Sequence, residues 1–379
     1  MKAFVQKLLS SARSLPWLLI GQWTRRSPTP LPESLAGKSV LVIQFNSLGD
    51  SLMSTPLLRE LKRAFPSTRL EVLTRDHTSA VFLTNPHCGS VHLIRAKQIW
   101  MNVRTWFSLR RRRFDVVIDC TGLIRSACYS RSLRASSSLG FSRKLSAGLF
   151  DLDIGRYYGS CVPYSETKHI PHLLLKLVEK WIDVPHDTRM TFVVAPNARK
   201  FALNWFHKQG LKSERSIILH PGSKWPPKRW PAEHWVELSK LVLHSTAGYV
   251  PVFVGGSNDG PMIDQIQSGV GHGVKKLIGY EIQETAAVVQ LSRAAVCNDS
   301  FIMHLAAALE SPVIALFGPV HPSRSQPRQI RGKSFYAEIF CSPCEQYYSA
   351  KRCWRGLNFC MYQIGPREVF ESLQAYLEN

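Results

Sequence analysis

Asp50 is well placed in this chain for acid–base chemistry, because it ends the segment Ser47-Leu48-Gly49-Asp50 directly after an apolar run. A carboxylate at the end of a strand lies beside a binding cleft, where it can accept a proton from a hydroxyl group as a general base. Aspartate is also a favoured helix N-cap, and Asp50 precedes a helical pattern. The local pattern therefore indicates a catalytic base, a helix cap, or one residue that serves as both.

A second group, residues 220–230, has the composition of a phosphate-binding turn. It begins His-Pro-Gly-Ser after an apolar run, so that Ser223 ends the turn, and Lys228 follows. A turn that contains glycine leaves backbone N–H groups available to phosphate oxygens, and a lysine adds a positive charge. The segment indicates a phosphate site, although lysine and tryptophan beside prolines are also common in surface loops.

A third group begins where another apolar run ends, at residues 298–304. Asp299 and Ser300 precede a helical pattern, and the start of a helix offers unpaired N–H groups and a positive dipole end to a diphosphate. His304 lies one turn further on, on the same side of that helix as Ser300. The pattern fits a capping aspartate and a core histidine as well, so both interpretations stay open.

These groups follow short apolar runs that alternate with helical patterns along the chain. In the first half we predict strands at residues 38–45, 70–73 and 115–119. In the second half we predict strands at residues 216–219, 250–254, 294–297 and 313–317. Short buried strands that alternate with helices are typical of a doubly wound parallel sheet, so the predicted fold class is α/β.

The strand pattern restarts in the second half, and 379 residues exceed what one hydrophobic core usually supports. We predict two Rossmann-like domains, 38–195 and 196–365, with a joint near residues 185–212. A basic extension and linker at 1–37 precedes them, and a helix at 366–379 follows. Because ligands bind at the carboxyl ends of such strands, we expect the two sets of residues to face one cleft.

The charge of the chain predicts an anionic partner. It carries 48 lysine and arginine residues against 27 aspartate and glutamate residues, a formal net charge of +21. Such an excess suits nucleic acid, an anionic lipid surface or a phosphorylated substrate. The sequence contains no recognised nucleic-acid motif and no basic–aromatic stacking signature, so we expect no nucleic-acid partner.

The first residues of the chain suggest contact with a membrane. Residues 1–23 mix apolar and basic positions, and Arg25 and Arg26 follow. We interpret this segment as a basic interfacial helix on a membrane or as a frayed tail. No apolar stretch in the sequence reaches the ~18 residues that span a bilayer.

Cysteine usage indicates a reducing compartment. The chain has nine cysteines, and those in the first 300 residues form no framework, which fits the cytoplasm better than secretion. Cys341, Cys344, Cys353 and Cys360 provide enough thiols for one zinc ion. Their irregular spacing favours structural cysteines, so we predict no metal site.

Taken together and in this order, these segments resemble glycosyltransferase family 9, the lipopolysaccharide heptosyltransferase family. The resemblance extends from about residue 39 to about residue 369. It is carried by residues 40–43 with 47–50, 119–123, 220–223 with 228–231, 298–300 with 303–308, 317–319, 341–344 and 360–361.

The resemblance implies a GT-B fold, in which the first domain binds an acceptor and the second binds a nucleotide sugar. It also implies an inverting transfer that needs no metal or other cofactor. The expected reaction moves heptose from ADP-heptose onto the inner core of lipopolysaccharide or a related anionic glycolipid.

The resemblance also assigns roles to individual residues. It implies that Asp50 is the catalytic base, and that Lys228 faces the donor diphosphate with Ser223 beside it. The donor-binding set at the helix start would be Asp299, Ser300 and His304. Arg125 lies where the family has a basic residue near the acidic sugar of the acceptor.

An arginine run at residues 110–113, preceded by Arg104, has two interpretations. It holds phosphates of a lipopolysaccharide core or anionic lipid headgroups, or it is a solvated charged face. Together with the basic N-terminal segment, it predicts a cytoplasmic protein that binds peripherally to the inner face of the inner membrane.

The chain departs from the family pattern at Phe301, where the family usually has glycine. A glycine there lets the backbone approach phosphate closely, whereas a phenylalanine reshapes that pocket. The alternative function is therefore a catalytically weakened relative that acts as a glycan- or membrane-binding component.

Overall fold

The computed structural model describes residues 29–147, 150–183, 187–245, 248–328, 331–344 and 353–377. The chain forms two units, the first ending at Thr188 and the second beginning at Arg189. This division lies within the predicted joint and a few residues before the predicted boundary at 195. The connecting segment belongs to the second unit because the Gln283 side chain bonds its backbone at Val193 and Ala195. The predicted membrane helix at 1–23 lies outside the described residues.

The first unit is built on a parallel sheet of six strands in the order β3-β2-β1-β4-β5-β8. The strands of this sheet are β1 (Ser39–Gln44), β2 (Arg69–Arg75), β3 (Ser90–Ile94), β4 (Val116–Asp119), β5 (Ser137–Ser142) and β8 (Ser160–Pro163). A separate hairpin between β5 and β8 consists of β6 (Lys144–Ala147) and β7 (Phe150–Asp153). The central strand β1 is apolar on both faces, as a strand covered on both sides by helices requires. Its Val42 pairs with Val72 on one side and Ile118 on the other.

Helices follow the strands of the first unit. They are α1 (Leu48–Met53), α2 (Thr55–Ala64), α3 (Ile99–Arg112), α4 (Ile124–Ser132) and α5 (Ile170–Leu175). Helix α2 has leucines at helical spacing, and Leu57, Leu58 and Leu61 are completely buried.

The second unit repeats this plan, with parallel strands in the order β11-β10-β9-β12-β13-β14. Its strands are β9 (Ser216–His220), β10 (Val250–Gly255), β11 (Lys275–Ile278), β12 (Ala294–Asn298), β13 (Val313–Phe317) and β14 (Gly332–Tyr336). Its helices are α6 (Pro196–Lys208), α7 (Ala232–Leu243), α8 (Gly260–Val270), α9 (Ile282–Leu291), α10 (Phe301–Ala308), α11 (Pro322–Ser325), α12 (Phe359–Tyr362) and α13 (Pro366–Leu377).

The core of the second unit includes the C-terminal helix. Trp230 and Trp235 meet edge to face with ring centroids 5.0 Å apart, and both are buried. Val369 and Leu373 of α13 pack into the same cluster. Because its apolar face is buried there, the helix predicted at 366–379 forms part of the second unit.

In both sheets the order in which successive strands are added reverses at equivalent places. The switch lies between β1 and β4 in the first unit and between β9 and β12 in the second. Such a switch point leaves a crevice at the carboxyl ends of the two strands, where ligands of doubly wound sheets bind. The predicted α/β class with two doubly wound sheets is confirmed. Within the described part of the chain, no helix has the length and apolar character needed to cross a membrane.

Candidate functional site

Asp50 lies at the switch point of the first sheet, in the turn and helix that follow β1. Ser47 is the N-cap of α1 and Asp50 is the third helical residue, so the interpretation of Asp50 as the N-cap is wrong. The Asp50 carboxylate accepts hydrogen bonds from the Ser47 hydroxyl at 2.6 Å and from the Ser47 N–H at 3.2 Å. This reciprocal arrangement closes the helix start and fixes the carboxylate.

The loop after the neighbouring strand β4 is tied directly to the loop after β1. Thr121 accepts a hydrogen bond from the Phe45 N–H through its hydroxyl, at 2.9 Å, and one from the Asn46 amide through its carbonyl, at 3.1 Å. Arg125 follows on the first turn of α4 and is exposed. The structure thus places Asp50 and Arg125 beyond the ends of adjacent strands.

The turn that leads to Arg125 is organised by a buried carboxylate, Asp119. It accepts hydrogen bonds from the Thr121 N–H at 2.8 Å and from the Tyr158 hydroxyl at 2.7 Å. Burial raises the pKa of Asp119, and the donated hydrogen bonds oppose that shift. Because Asp119 is inaccessible to solvent, it positions the loop rather than contacting a substrate.

A second arginine lies within electrostatic reach of Arg125 and was not identified from the sequence. Arg75 ends β2, and its pKa is lowered by partial burial and then by the neighbouring positive charge of Arg125. Two guanidinium groups that repel one another mark a place where an anion would be stabilising. This pair suits an acidic group on a molecule bound to the first unit.

In the second unit, Lys228 and Asp299 come together at the switch point. The Lys228 Nζ lies 2.6 Å from the Asp299 Oδ2, with side-chain exposures of 15% and 5%. Lys228 belongs to a short 3₁₀ turn after β9, whereas Asp299 directly follows β12. The structure therefore brings together two residues that the sequence separates widely, and it places the lysine charge at the carboxyl edge of the sheet.

Neighbouring side chains hold the Lys228 turn in place. The Asn298 amide donates to the Pro221 carbonyl at 2.8 Å, and the Arg229 guanidinium donates to the Ser223 carbonyl at 2.9 and 3.0 Å. Asn358, from the C-terminal segment, donates to the Arg229 carbonyl at 2.6 Å. The Ser223 loop and the Lys228 turn are thus anchored to each other and to β12.

Helix α10 begins at the same edge, with Ser300 as its N-cap. The Ser300 Oγ is buried and has no hydrogen-bond partner among the described residues, which is unusual for a hydroxyl inside a protein. Phe301 is the first helical residue and is partly buried. His304 lies one turn on and is 3% exposed, so its ring is part of the interior.

Asp259 is a further carboxylate that sequence reasoning missed. It follows β10, and its Oδ2 accepts a hydrogen bond from the Gly256 N–H at 3.0 Å. A Cβ on Gly222 would lie 2.8 Å from this carboxylate, so Gly222 allows a close approach that another residue would block. The turn Gly255-Gly256-Ser257 after a strand was the available sequence signal.

The late cysteines show no metal-binding arrangement. All nine cysteines are free thiols. Among the residues that the structure describes, no three or more His, Cys, Asp or Glu side chains form a group that could hold a metal ion.

The chain is similar to known sugar-transferring enzymes. A family model for glycosyltransferase family 9 (heptosyltransferase) matches residues 103–355. Lipooligosaccharide heptosyltransferase 2 of Haemophilus influenzae is 26% identical over 305 residues, which cover 76% of this chain and 86% of that protein.

Two solved structures share the fold. The glycosyl transferase family 9 protein of Veillonella parvula aligns with a TM-score of 0.79 at 20% identity, over 91% of this chain and 98% of that one. The E. coli ADP-heptose lps heptosyltransferase II aligns with a TM-score of 0.73 at 23% identity, over 90% of this chain and 98% of that one. The two Rossmann-like units are thus those of a GT-B fold. Because the family model spans more than half of the chain, the protein is a glycosyltransferase and belongs to glycosyltransferase family 9.

Proposed function

We propose that this enzyme transfers heptose from ADP-heptose to an anionic, lipid-linked acceptor of the lipopolysaccharide inner core, with inversion and without a metal, at the inner face of the inner membrane. The observation that carries the proposal is the Lys228–Asp299 pair at the start of α10 in a chain of this family. The Haemophilus influenzae relative is a lipooligosaccharide heptosyltransferase, and the E. coli structure is an ADP-heptose enzyme, which supports this donor and acceptor class.

In the proposed reaction, the acceptor hydroxyl attacks the anomeric carbon of the donor sugar. Asp50 takes the hydroxyl proton as the new C–O bond forms, and the electron pair of the breaking sugar–phosphate bond stays on the leaving ADP. Attack opposite to the leaving group inverts the anomeric centre. Arg125 and Arg75 would hold the acidic sugar of the acceptor on the first unit.

The second unit would stabilise the negative charge that develops on the diphosphate. Lys228 supplies an ammonium group, held in place by Asp299, and the N-terminus of α10 supplies backbone N–H groups and the unpartnered Ser300 hydroxyl. Ser223 lies on the adjoining loop. These groups give the leaving group a source of positive charge in the protein itself, which is why we propose a metal-independent reaction. His304, buried beneath the helix start, would support this wall of the site.

The nucleotide preference tests the proposal. In a thermal-shift titration with ADP, UDP and GDP, we expect ADP to stabilise the protein most, by roughly 2.7 kcal/mol at 100 times its dissociation constant. Turnover with ADP-heptose and a heptose-deficient lipopolysaccharide acceptor should follow. A preference for UDP or GDP would contradict the heptose donor while leaving a glycosyltransferase.

Phe301 supports the second candidate function, a weakened relative that binds glycan or membrane. Its side chain stands at the first position of α10, where the family usually has glycine. If no nucleotide stabilises the wild-type protein while Phe301→Gly binds ADP, the weakened relative is the correct function. If both proteins bind ADP, the phenylalanine is compatible with the donor.

Asp259 is expected to bind the ribose of the donor. A carboxylate beyond the second strand of a doubly wound sheet accepts hydrogen bonds from ribose hydroxyls, and Asp259 occupies that place. We expect Asp259→Ala to weaken ADP binding at least about tenfold.

Calorimetric titration with ADP and 2′-deoxy-ADP tests this assignment. The wild-type protein should discriminate between the two nucleotides, and Asp259→Ala should not. Asp264→Ala is the matched control, since Asp264 is on the following helix, is exposed and pairs with Lys276. Undiminished discrimination in Asp259→Ala would exclude a ribose contact.

A further inference from the structure

Helix α3 has an inner side that anchors it firmly to the first unit. Leu109 is 1% exposed and belongs to the core cluster of that unit. The Trp106 indole N–H donates to the Ser132 hydroxyl at 2.8 Å. The Arg110 guanidinium stacks on the Trp106 ring and donates to the Ser132 carbonyl. The helix is therefore a fixed part of the fold, and its outer side is presented in one orientation.

The outer side carries a row of alternating aromatic and arginine side chains, Trp100, Arg104, Phe107 and Arg111. Their spacing of four, three and four residues places them on one line along the helix, about 16 Å long. Trp100 is 83% exposed and Phe107 is 50% exposed. Leaving two large aromatic side chains in water forgoes the free energy of their burial, so this row indicates a partner.

The row is also unusually basic. Residues 95–114 contain seven arginine and lysine residues and no aspartate or glutamate. Arg112 pairs with Glu71 at 2.7 Å, but Arg104 and Arg111 have no ion pair with any residue that the structure describes. Together with Phe107 and Ser108, they line an open groove on the helix. The positive charge on the outer row is therefore not neutralised within the described fold.

We propose that this row docks the enzyme on an anionic lipid bilayer. Tryptophan and phenylalanine are favoured at the boundary between headgroups and acyl chains, and arginines on the same face bind lipid phosphates. A symmetric contact between two copies would place like charges against each other and is disfavoured. This row is then the surface by which the enzyme reaches its lipid-linked acceptor. The proposal rests on the proposed function, because that function is the reason for the enzyme to bind a membrane.

Vesicle co-sedimentation of the full chain tests the proposal. The wild-type protein should bind phosphatidylcholine vesicles that contain phosphatidylglycerol far better than pure phosphatidylcholine vesicles. Trp100→Ser/Phe107→Ser and Arg104→Gln/Arg111→Gln should each weaken binding to the anionic vesicles at least about tenfold. The matched control, Arg199→Gln/Lys200→Gln, removes the same charge from exposed positions of α6 and should change binding less than about twofold.

Retained ADP binding in every variant shows that the loss concerns docking and not folding or the donor site. If both α3 variants bind anionic vesicles as tightly as the wild-type protein does, the proposal is overturned. An equal loss in the α6 control would also overturn it, because net charge alone would then explain binding. If the α3 variants lose affinity for single-stranded RNA and keep it for vesicles, the row binds nucleic acid instead. If ADP does not bind the wild-type protein, the proposed function is contradicted, whereas the vesicle measurements still test the docking proposal.

Discussion

Asp50→Asn is expected to lower kcat for sugar transfer by at least about 100-fold while the dissociation constant for ADP stays unchanged. The amide keeps the size of the carboxylate and can still accept a hydrogen bond from Ser47, but it cannot take the proton of the acceptor hydroxyl. A steady-state assay with purified acceptor, combined with ADP titration of the same variant, measures both quantities. A lower kcat with an unchanged dissociation constant for ADP is expected of a base that acts on the acceptor and not on the donor.

Ser47→Ala distinguishes this catalytic role from the structural one. It removes the hydroxyl that donates to Asp50 and weakens the start of α1, at a cost of about 1 kcal/mol in the free energy of unfolding. If Asp50 served only to close the helix, both variants would lose stability to a similar extent and activity only in proportion. Normal turnover by a folded Asp50→Asn enzyme would remove Asp50 from the mechanism.

Lys228→Ala is expected to weaken ADP binding at least about tenfold, because a charge-assisted hydrogen bond to phosphate contributes about 1.5–3 kcal/mol. The same substitution leaves Asp299 buried without its cation, 5% exposed, which should also destabilise the fold. The expected loss of nucleotide binding therefore has two sources in the single variant: the missing cation, and an uncompensated carboxylate at the proposed diphosphate position. Thermal unfolding with and without ADP records both effects.

The double variant Lys228→Ala/Asp299→Asn separates these sources. Removing both charges should restore much of the decrease in melting temperature that Lys228→Ala alone causes, while ADP binding should stay weak. The control is Lys224→Ala, because Lys224 is on the same loop and is exposed. This substitution is expected to weaken ADP binding less than about threefold. Wild-type ADP affinity in the double variant would show that Lys228 does not contact the diphosphate.

Several of the strands that the sequence missed lie at sheet edges, and the one interior strand of the first sheet that it missed, β5, is rich in serine. Central strands such as β1 and β9 are apolar on both faces, and this makes them recognisable from local composition alone. The strands β3, β8 and β14 lie at sheet edges and mix polar with apolar positions. Their structure comes from pairing with a neighbouring strand, and a local pattern does not contain that information.

The candidate site shows the same division. Ser223, Lys228, Asp299 and Ser300 follow predicted strands, so their placement at the carboxyl edge of the second sheet could be predicted from the sequence. Asp259 also follows a predicted strand, but only the structure shows its close approach to Gly222 on the adjacent strand's loop. Arg75 was missed because only the folded first unit brings it within electrostatic reach of Arg125.

By itself, the sequence determined the α/β class, the two sheets, the family and the chemical types of the site residues. These properties depend on short-range periodicity and on motif order, both of which are written along the chain. The tertiary structure alone decided that Lys228 pairs with Asp299, that Asp50 accepts hydrogen bonds from the N-cap Ser47, and that one face of α3 is exposed. Pairing and exposure depend on which distant segments pack together, and packing is a property of the folded chain as a whole.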